Sequence, residues 1–363
     1  MNVPEVYLLH AYSSRNSGDG LLVELSLKAI RDAGVTGRIV VVCLDKVSFE
    51  GYLSDTNIEL ISVGQFFLRK VCGAFAHRRC VYFGVGGGYL RASSKSEGWK
   101  SLVAHGSQIL MSTVGGPSRR IYLPQSVGPF DTAPGRMLAR LVRGHVERIF
   151  LRDDKSVDEL GHPGATRTGD LVVLEIDQHA HSGTLRRARC VAPQVYLVFR
   201  DLQEKPYREE YLTRVRALMG LLPEAKLAVQ SRGRGNSDDV FYRDLLGIGD
   251  AVLLKDVLAA GNAIVVSVRL HGSLESVLAG VPSVHLAYER KGRAAYADLG
   301  LDAFAFHASD FDPQTVVSAV QSIIADEEQF WRCLERRTQQ GHQHFVEAIK
   351  DELRTFDNPD HGR

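Results

Sequence analysis

The sequence predicts an α/β protein of two doubly wound domains that face a cleft. Three observations lead to this fold class. The chain has 363 residues, more than one ordinary hydrophobic core holds. Short apolar runs alternate with stretches of helical period, as in a parallel sheet covered by helices. This pattern stops at a polar stretch in mid-chain and then begins again, so we expect two domains of similar size.

The first half of the chain contains the expected strands of one Rossmann-like domain, predicted over residues 1–180. Between the first two strands, residues 20–34 have apolar positions every three or four residues and Gly34 at the place of a helix C-cap. That order is a βαβ unit. The five predicted strands are residues 6–10, 38–44, 80–85, 120–124 and 148–152.

The second half repeats the pattern after a polar stretch, residues 177–194, that reads as an interdomain linker. A second Rossmann-like domain is predicted over 190–330, with a helix at 314–324 after the start signal Asp312-Pro313. Residues 331–357 are predicted to be helical and to pack back on the first domain. The predicted strands are residues 195–200, 226–231, 263–268 and 283–288.

The composition excludes several classes of protein. Lysine and arginine total 44 against 43 acidic residues, and a net charge of +1 gives no global field for nucleic acid. The five cysteines form no Cys-x-x-Cys pair, which favours reduced thiols in a cytoplasmic protein. No apolar window approaches the ~18 residues of a membrane span. The Asp310-x-Asp312 pair reads as a helix start, so we expect no metal site.

Cations follow the strands of the second domain. Arg200, Arg269 and Lys291 lie at strand ends, and His271 stands two residues after Arg269. Ligands bind open α/β sheets at the carboxyl ends of the strands, and guanidinium groups match carboxylates and phosphates. One such cation alone more often pairs with an acid, but four coinciding positions predict an anion site. His271 either transfers protons there or is a structural histidine.

Polar residues and glycines follow the strands of the first domain. Asn16 and Asp19 stand where a helix starts, so Asp19 is either an N-cap or a catalytic group. A glycine run after the third strand allows close approach of a ligand. Gln125 suits sugar hydroxyls, and Asp153 is either a helix cap or a ligand residue. The candidate acceptor-binding residues are Asn16, Gly87, Gly88, Gln125 and Asp153.

Six motifs in order resemble those of the polysaccharide pyruvyl transferase family. They are "NSGDGLL", "VGGGYLR", "LPQSVGPF", "FLRDDKSVDEL", "GDLVV" and "RLHGSLESVLAGVPSVHLAYERK", within residues 7–300. The resemblance implies a GT-B-like fold and transfer of a pyruvyl group from phosphoenolpyruvate to two hydroxyls of one sugar as a cyclic ketal. It implies no cofactor besides this donor.

The resemblance also implies roles for the candidate residues. Arg200, Arg269 and the Leu270-His271 turn would hold the donor, with His271 as proton-transfer group and Lys291 as a phosphate contact. The first domain would receive the sugar, with Asp19 as a base. The acceptor, free, lipid-linked or polymeric, would be a precursor of an exopolysaccharide or cell wall glycan, met in the cytoplasm at the inner face of the membrane.

Two other functions fit the same residues. A nucleotide-sugar glycosyltransferase of the same architecture would also need a cationic site, and a sugar-binding scaffold without catalysis would share the fold. One segment departs from the family pattern. Arg232 and Arg234 in "SRGRGNSDDVF" map onto no family position and compete with Arg200 as donor contacts.

Overall fold

The computed structural model describes residues 4–73, 77–185, 192–203, 205–233, 236–335 and 341–357. The described residues divide into two compact units. The first unit comprises Met1–Ser14, Asp19–Leu171 and His342–Arg363, and the second comprises Arg15–Gly18 and Val172–Gly341.

The sheet of the first unit is parallel, with strand order β3-β2-β1-β4-β6-β7-β8 and β5 beside β6. All residues of β2 and β4 are buried, as expected for strands covered on both faces. Its strands are β1 (Glu5–Ala11), β2 (Ile39–Cys43), β3 (Ile58–Ser62), β4 (Cys80–Gly84), β5 (Gly87–Leu90), β6 (Ser118–Val127), β7 (Arg148–Leu151) and β8 (Ala165–Arg167).

Helices cover this sheet and follow its strands, which makes it doubly wound. A π-helical turn, Leu102–Gly106, joins two of them. The helices are α1 (Ser17–Asp32), α2 (Lys46–Phe49), α3 (Val63–Cys72), α4 (Lys95–Ser101), α5 (Ser107–Met111), α6 (Ala133–His145) and α7 (Asp154–Leu160).

The second unit contains a parallel sheet of strand order β13-β10-β9-β14-β15-β16 and a two-stranded antiparallel ribbon, β11-β12. The strands are β9 (Gln194–Val198), β10 (Lys226–Val229), β11 (Arg232–Gly233), β12 (Asn236–Ser237), β13 (Val252–Leu253), β14 (Ala263–Ser267), β15 (Ser283–Ala287) and β16 (Ala305–His307). The helices of the second unit are α8 (Leu171–His181), α9 (Arg208–Leu221), α10 (Asp238–Phe241), α11 (Leu254–Ala260), α12 (Leu270–Leu278), α13 (Arg290–Asp298), α14 (Pro313–Ala325) and α15 (Glu327–Glu335). The last helix, α16 (Gly341–Asp357), packs on the first unit.

The nine predicted strands are all present, with bounds shifted by a few residues. The predictions missed the edge strands β3, β8, β13 and β16, the strand β5, and the ribbon strands β11 and β12. The helix at 314–324 is confirmed, and Asp312 caps it by accepting from the N–H groups of Gln314 and Thr315. The described helices include none that is long and apolar enough to cross a bilayer.

Two organisational predictions need correction. The linker prediction begins too early, since residues 177–181 are the last turns of α8, and residues 186–191 lie outside the described part of the chain. The predicted helical segment 331–357 falls in two helices. Of these, α15 stays with the second unit, whereas α16 places the ring of Phe345 4.9 Å from that of Phe150 in the first unit.

Candidate active site

The carboxyl ends of three neighbouring strands of the second unit carry the predicted cations. Val198, Ser267 and His285 are in register on β9, β14 and β15. Arg200 and Arg269 each follow two residues after the registered position, so they leave the sheet at equivalent places on adjacent strands. Lys291 follows β15 in the first turn of α13. The structure therefore gathers these three residues at one edge of the sheet.

Arg269 is held by a buried carboxylate. Its side chain is only 7% exposed, its Nε donates to Asp238 Oδ1 at 2.8 Å, and its Nη2 pairs with the same carboxyl. The other oxygen, Oδ2, accepts from the N–H groups of Gln230 and Ser231, each at 2.9 Å. Burial raises the pKa of Asp238, and the guanidinium opposes that rise. The acid fixes the orientation of Arg269 at the strand end.

Arg200 and Lys291 have partners of a weaker kind. Arg200 is half-buried, donates from Nη1 to the Tyr288 hydroxyl at 3.0 Å and lies over that ring, 5.2 Å from its centroid. Lys291 pairs with Glu289 in its own turn at 2.8 Å. Tyr288 was quoted in the sequence motif but not predicted as a site residue. Since it contacts Arg200 and directly follows β15, it belongs to the site.

His271 is the second residue of α12. The N-cap of this helix is Arg269, two residues earlier. Gly18 packs on its imidazole so tightly that a Cβ on Gly18 would lie 2.7 Å from His271 Nδ1. The side chain of Leu270 is buried, so only its backbone can reach a ligand. A Cβ on Gly272 would lie 2.8 Å from both Gln230 Oε1 and Ser267 Oγ, which explains the glycine after His271.

Sequence reasoning missed a second histidine beneath this edge. His285 is 1% exposed, and its Nδ1 lies 3.0 Å from Ser273 Oγ and 3.0 Å from the Ser267 carbonyl oxygen. Burial, together with the nearby Lys291 and His271, lowers the pKa of His285 to about 4, although the hydrogen bond to the Ser267 carbonyl opposes this shift. A neutral imidazole thus lies within electrostatic reach of both residues. The sequence feature that could have indicated His285 is a histidine inside an otherwise apolar strand.

The segment before α1 belongs to the second unit, contrary to the prediction for Asn16. Asn16 pairs with Ser231 as an isolated bridge, and the Ser17 hydroxyl donates to Glu275 at 3.1 Å. Glu275 stands one helical turn after His271 and also accepts from Gln230 Nε2 at 3.1 Å. Glu275, which was not predicted, therefore connects three segments beside His271.

Asp19 is the third residue of α1, so the N-cap role does not apply to it. It is half-buried and belongs to the first unit. The helix dipole favours a carboxylate in the first turn of α1. The catalytic role of Asp19 stays a prediction.

Two of the predicted acceptor residues have structural roles. Gln125 is fully buried, and its Nε2 donates to the Val85 carbonyl and, at 2.9 Å, to the Tyr89 hydroxyl. Asp153 is 3% exposed, caps α7 through Ser156 N–H at 2.9 Å and accepts from the Ser126 hydroxyl at 2.7 Å. The structure therefore favours the capping role for Asp153, and neither side chain is placed to meet a sugar.

Gly87 and Gly88 lie at the carboxyl edge of the first sheet. Gly87 pairs with Gln125 at the start of β5 and has φ of +152°, a conformation that favours glycine. Gly88 is half-buried, as is Tyr89, whose hydroxyl Gln125 holds. Tyr89 is thus the side chain through which this edge can present a polar group and a ring.

A cluster of buried rings that no motif signalled lies beneath Tyr89. His10, at φ of +71°, places Nε2 2.7 Å from the Tyr122 hydroxyl and Nδ1 3.3 Å from His105 Nδ1. Burial lowers the pKa of His105 to about 4 and that of His10 well below its ordinary value. Both imidazoles are neutral at physiological pH. Each ring therefore has one N–H donor and one acceptor nitrogen.

Arg232 and Arg234 are the two residues predicted to compete with Arg200 as donor contacts. The Arg232 side chain is exposed, with its Nε 3.5 Å from Asp239 Oδ2. Arg234 lies outside the described residues. Within the described ranges, no group of three or more His, Cys, Asp or Glu side chains could hold a metal ion.

Two parallel-sheet α/β units with cations at the strand ends define a class of two-domain α/β proteins, and solved structures share this fold. A UDP-GlcNAc 2-epimerase from Neisseria meningitidis, bound to UDP-GlcNAc, has a TM-score of 0.55 at 14% identity, covering 97% of this chain and 100% of that chain. A putative UDP-N-acetylglucosamine 2-epimerase from Listeria monocytogenes scores 0.54 at 10% identity, covering 99% and 98%. A glycosyltransferase from Rickettsia africae scores 0.53 at 8% identity, covering 97% and 99%.

The sequence itself identifies the family within this class. The family model described as polysaccharide pyruvyl transferase matches residues 16–290. The chain therefore belongs to the polysaccharide pyruvyl transferase family, and the predicted resemblance is confirmed. Membership makes it a transferase of polysaccharide modification. No curated protein sequence matches the chain significantly.

Proposed function

We propose that the protein transfers the pyruvyl group of phosphoenolpyruvate to two hydroxyls of one sugar, forming a cyclic ketal and releasing phosphate. The observation that carries this proposal is the pair Arg200 and Arg269 at registered ends of adjacent strands, with His271 in the turn that follows. The donor has a carboxylate and a phosphate on three carbons, and two guanidinium groups suit two neighbouring anions.

The reaction needs an acid, a base and anion contacts. A proton added to the donor methylene carbon leaves a cationic C2, which one sugar hydroxyl attacks. The C2–O bond to phosphate then breaks, and the second hydroxyl attacks the same carbon. Of the two hydroxyl protons, one replaces the proton taken up by the methyl carbon and one leaves with phosphate. His271 is the proposed proton donor, and Asp19 is the proposed base for the acceptor hydroxyl.

The geometry of the second unit supports the proposed donor contacts. Arg269, fixed by Asp238, and Arg200, stacked on Tyr288, would bind the two anionic groups, with the Leu270-His271 backbone at the start of α12. Phosphate would compete with Glu289 for Lys291, since those two side chains are each about one-fifth exposed. No cofactor enters this scheme.

The acceptor contacts are proposed at the carboxyl edge of the first sheet. We propose that the sugar meets the first unit at Gly87, Gly88 and Tyr89. We also propose that the acceptor is a precursor of an exopolysaccharide or cell wall glycan, free, lipid-linked or polymeric, and that the reaction takes place in the cytoplasm at the inner face of the membrane.

Ligand-induced stabilisation distinguishes pyruvyl transfer from nucleotide-sugar transfer. A ligand that binds only the folded state raises Tm by mass action. We expect phosphoenolpyruvate to raise Tm and the UDP, GDP and CDP sugars to leave it unchanged. Stabilisation by a nucleotide sugar but not by phosphoenolpyruvate would instead support a glycosyltransferase, as the fold alone allows.

Catalysis is tested by phosphate release from phosphoenolpyruvate across a panel of galactosides, mannosides, glucosides and their N-acetyl forms, with the product mass as a second readout. Arg269→Lys should lower kcat/KM for phosphoenolpyruvate by about 10- to 100-fold, because it loses the fork that pairs with Asp238 and an anion. The exposed Arg243→Lys in the same unit is the matched control. Sugar-dependent phosphate release that Arg269→Lys retains would contradict the assignment.

A further inference from the structure

Two neighbouring helical segments of the first unit expose large apolar side chains. Trp99, Val103 and Leu110 are 57%, 67% and 40% exposed on the segment formed by α4, the π-helical turn and α5, and Met137 on α6 is 49% exposed. Trp99 and Val103 are four residues apart, about one helical turn, and Leu110 follows after the π-helical turn. Single exposed apolar residues are ordinary, whereas a stripe with a tryptophan marks an interaction surface.

The two segments that carry these four side chains are adjacent. A Cβ on Gly98 would lie 2.9 Å from Pro134 Cγ, and a Cβ on Gly106 would lie 3.2 Å from Leu141 Cδ1, so the two segments run side by side. Met137 lies on α6 between these two contact points, at helical spacing from both. The exposed apolar side chains therefore lie on two adjacent segments of the first unit.

The same surface carries uncompensated positive charge. Lys95, Lys100, Arg136 and Arg140 are exposed, and none pairs with a carboxylate among the residues that the structure describes. The two segments contain a single acid, Glu97, which accepts from Ser93 and lies 3.7 Å from Arg91. In a protein of net charge +1, this is a local concentration of cations beside apolar side chains.

We propose that this surface, termed the basic-apolar face, docks the first unit on an anionic lipid bilayer. Tryptophan and aliphatic side chains enter the headgroup boundary, while lysine and arginine reach anionic headgroups from above it. A nucleic acid would use the cations but gain little from Val103, Leu110 and Met137, so the combination favours lipid. The inference does not depend on the donor or on the proposed reaction.

The basic-apolar face begins near the carboxyl edge of the first sheet. The segments follow β5 and β6, so the first turns, which hold Lys95 and Arg136, begin at the carboxyl edge of the first sheet. Gly87 and Tyr89 belong to the same edge. Docking through this face would hold that edge near the bilayer surface, where a lipid-linked sugar is presented.

Vesicle binding by the full chain tests the proposal. We expect flotation with vesicles of phosphatidylcholine mixed with phosphatidylglycerol, at least tenfold less binding to phosphatidylcholine alone, and a blue shift of tryptophan emission on binding. The shift reports Trp99, since Trp331 is 1% exposed and serves as an internal reference. The variant Lys100→Glu/Arg140→Glu should lose at least tenfold in affinity for the anionic vesicles.

The control carries the same change of net charge elsewhere. Arg243→Glu/Lys255→Glu alters two exposed residues of the second unit and should bind anionic vesicles as the wild type does. Equal loss in both variants, binding without a blue shift, or binding of RNA that Lys100→Glu/Arg140→Glu abolishes while vesicles are ignored would each overturn the proposal. Phosphoenolpyruvate-induced stabilisation should persist in Lys100→Glu/Arg140→Glu, which separates failure of docking from failure of the proposed reaction.

Discussion

At the scale of single residues, the pair of Arg269 and Asp238 shows how a strand end is prepared for an anion. A buried guanidinium without a partner would be costly, and a carboxylate with two backbone donors supplies that partner. The acid uses both oxygens inside the protein. Its role is to position Arg269 rather than to contact a substrate.

Asp238→Asn should lower the free energy of unfolding by about 3 kcal/mol, because it leaves the buried charge of Arg269 uncompensated. It should also raise KM for phosphoenolpyruvate more than it lowers kcat. Asp239→Asn removes the neighbouring carboxylate, whose side chain is 42% exposed, and should change the free energy of unfolding by less than about 1 kcal/mol. Urea denaturation and steady-state kinetics of both variants check this, and equal effects would contradict the assignment.

At the scale of elements, the start of α12 is where several segments meet. Residues Asn16–Gly18 lie against it, Glu275 joins Ser17 to Gln230, and His285 lies beneath it. The His271 side chain is thereby confined between α12 and the start of α1. Short segments far apart in sequence thus decide where the imidazole points.

Gly18→Ala should displace the His271 imidazole, since the added Cβ would lie 2.7 Å from its Nδ1. We expect kcat for pyruvyl transfer to fall about tenfold or more while the free energy of unfolding changes by less than roughly 2 kcal/mol. Gly144→Ala, also in a helix but with no atom within 4 Å of the added Cβ, is the control. Unchanged kcat in Gly18→Ala would show that the imidazole position does not limit the reaction.

At the scale of the whole molecule, four histidines are buried among the described residues of the two units. His10, His105 and His162 lie in the first unit and His285 in the second. Burial lowers the pKa of each below the ordinary value of 6.5, to about 4 for His105 and His285. Folding therefore requires both units to keep these rings unprotonated.

Stability should fall as the pH is lowered from about 6.5 to about 4. In that window the unfolded chain binds protons that the folded chain excludes, so their contribution is present above pH 6.5 and lost below it. Each of His105 and His285 contributes at most roughly 3 kcal/mol to this loss. Urea denaturation across the window measures it, and His105→Gln should flatten the slope whereas the exposed His307→Gln should not. An identical slope in both variants would contradict the assignment.

Much of the fold and part of the site could be predicted from sequence. Buried parallel strands are continuous apolar runs, so β1, β2, β4 and β14 stand out, whereas the two- and three-residue edge strands carry too little pattern to see. The location of Arg200, Arg269, His271 and Lys291 at one edge of the second sheet could be predicted because parallel strands end at one edge. Asp238 and Glu275 were missed because a charged residue in a polar segment has no distinguishing local pattern.

The sequence by itself determined the two parallel α/β domains, the family and the cations at the strand ends, because periodicity and motif order are local properties of the chain. The tertiary structure decided which polar side chains are accessible. It buried Gln125 and Asp153 among backbone and hydroxyl partners, placed Asn16 in the second unit and placed His285 beneath Lys291 and His271. Burial and hydrogen-bond partners depend on segments distant in sequence, so no local pattern could reveal them.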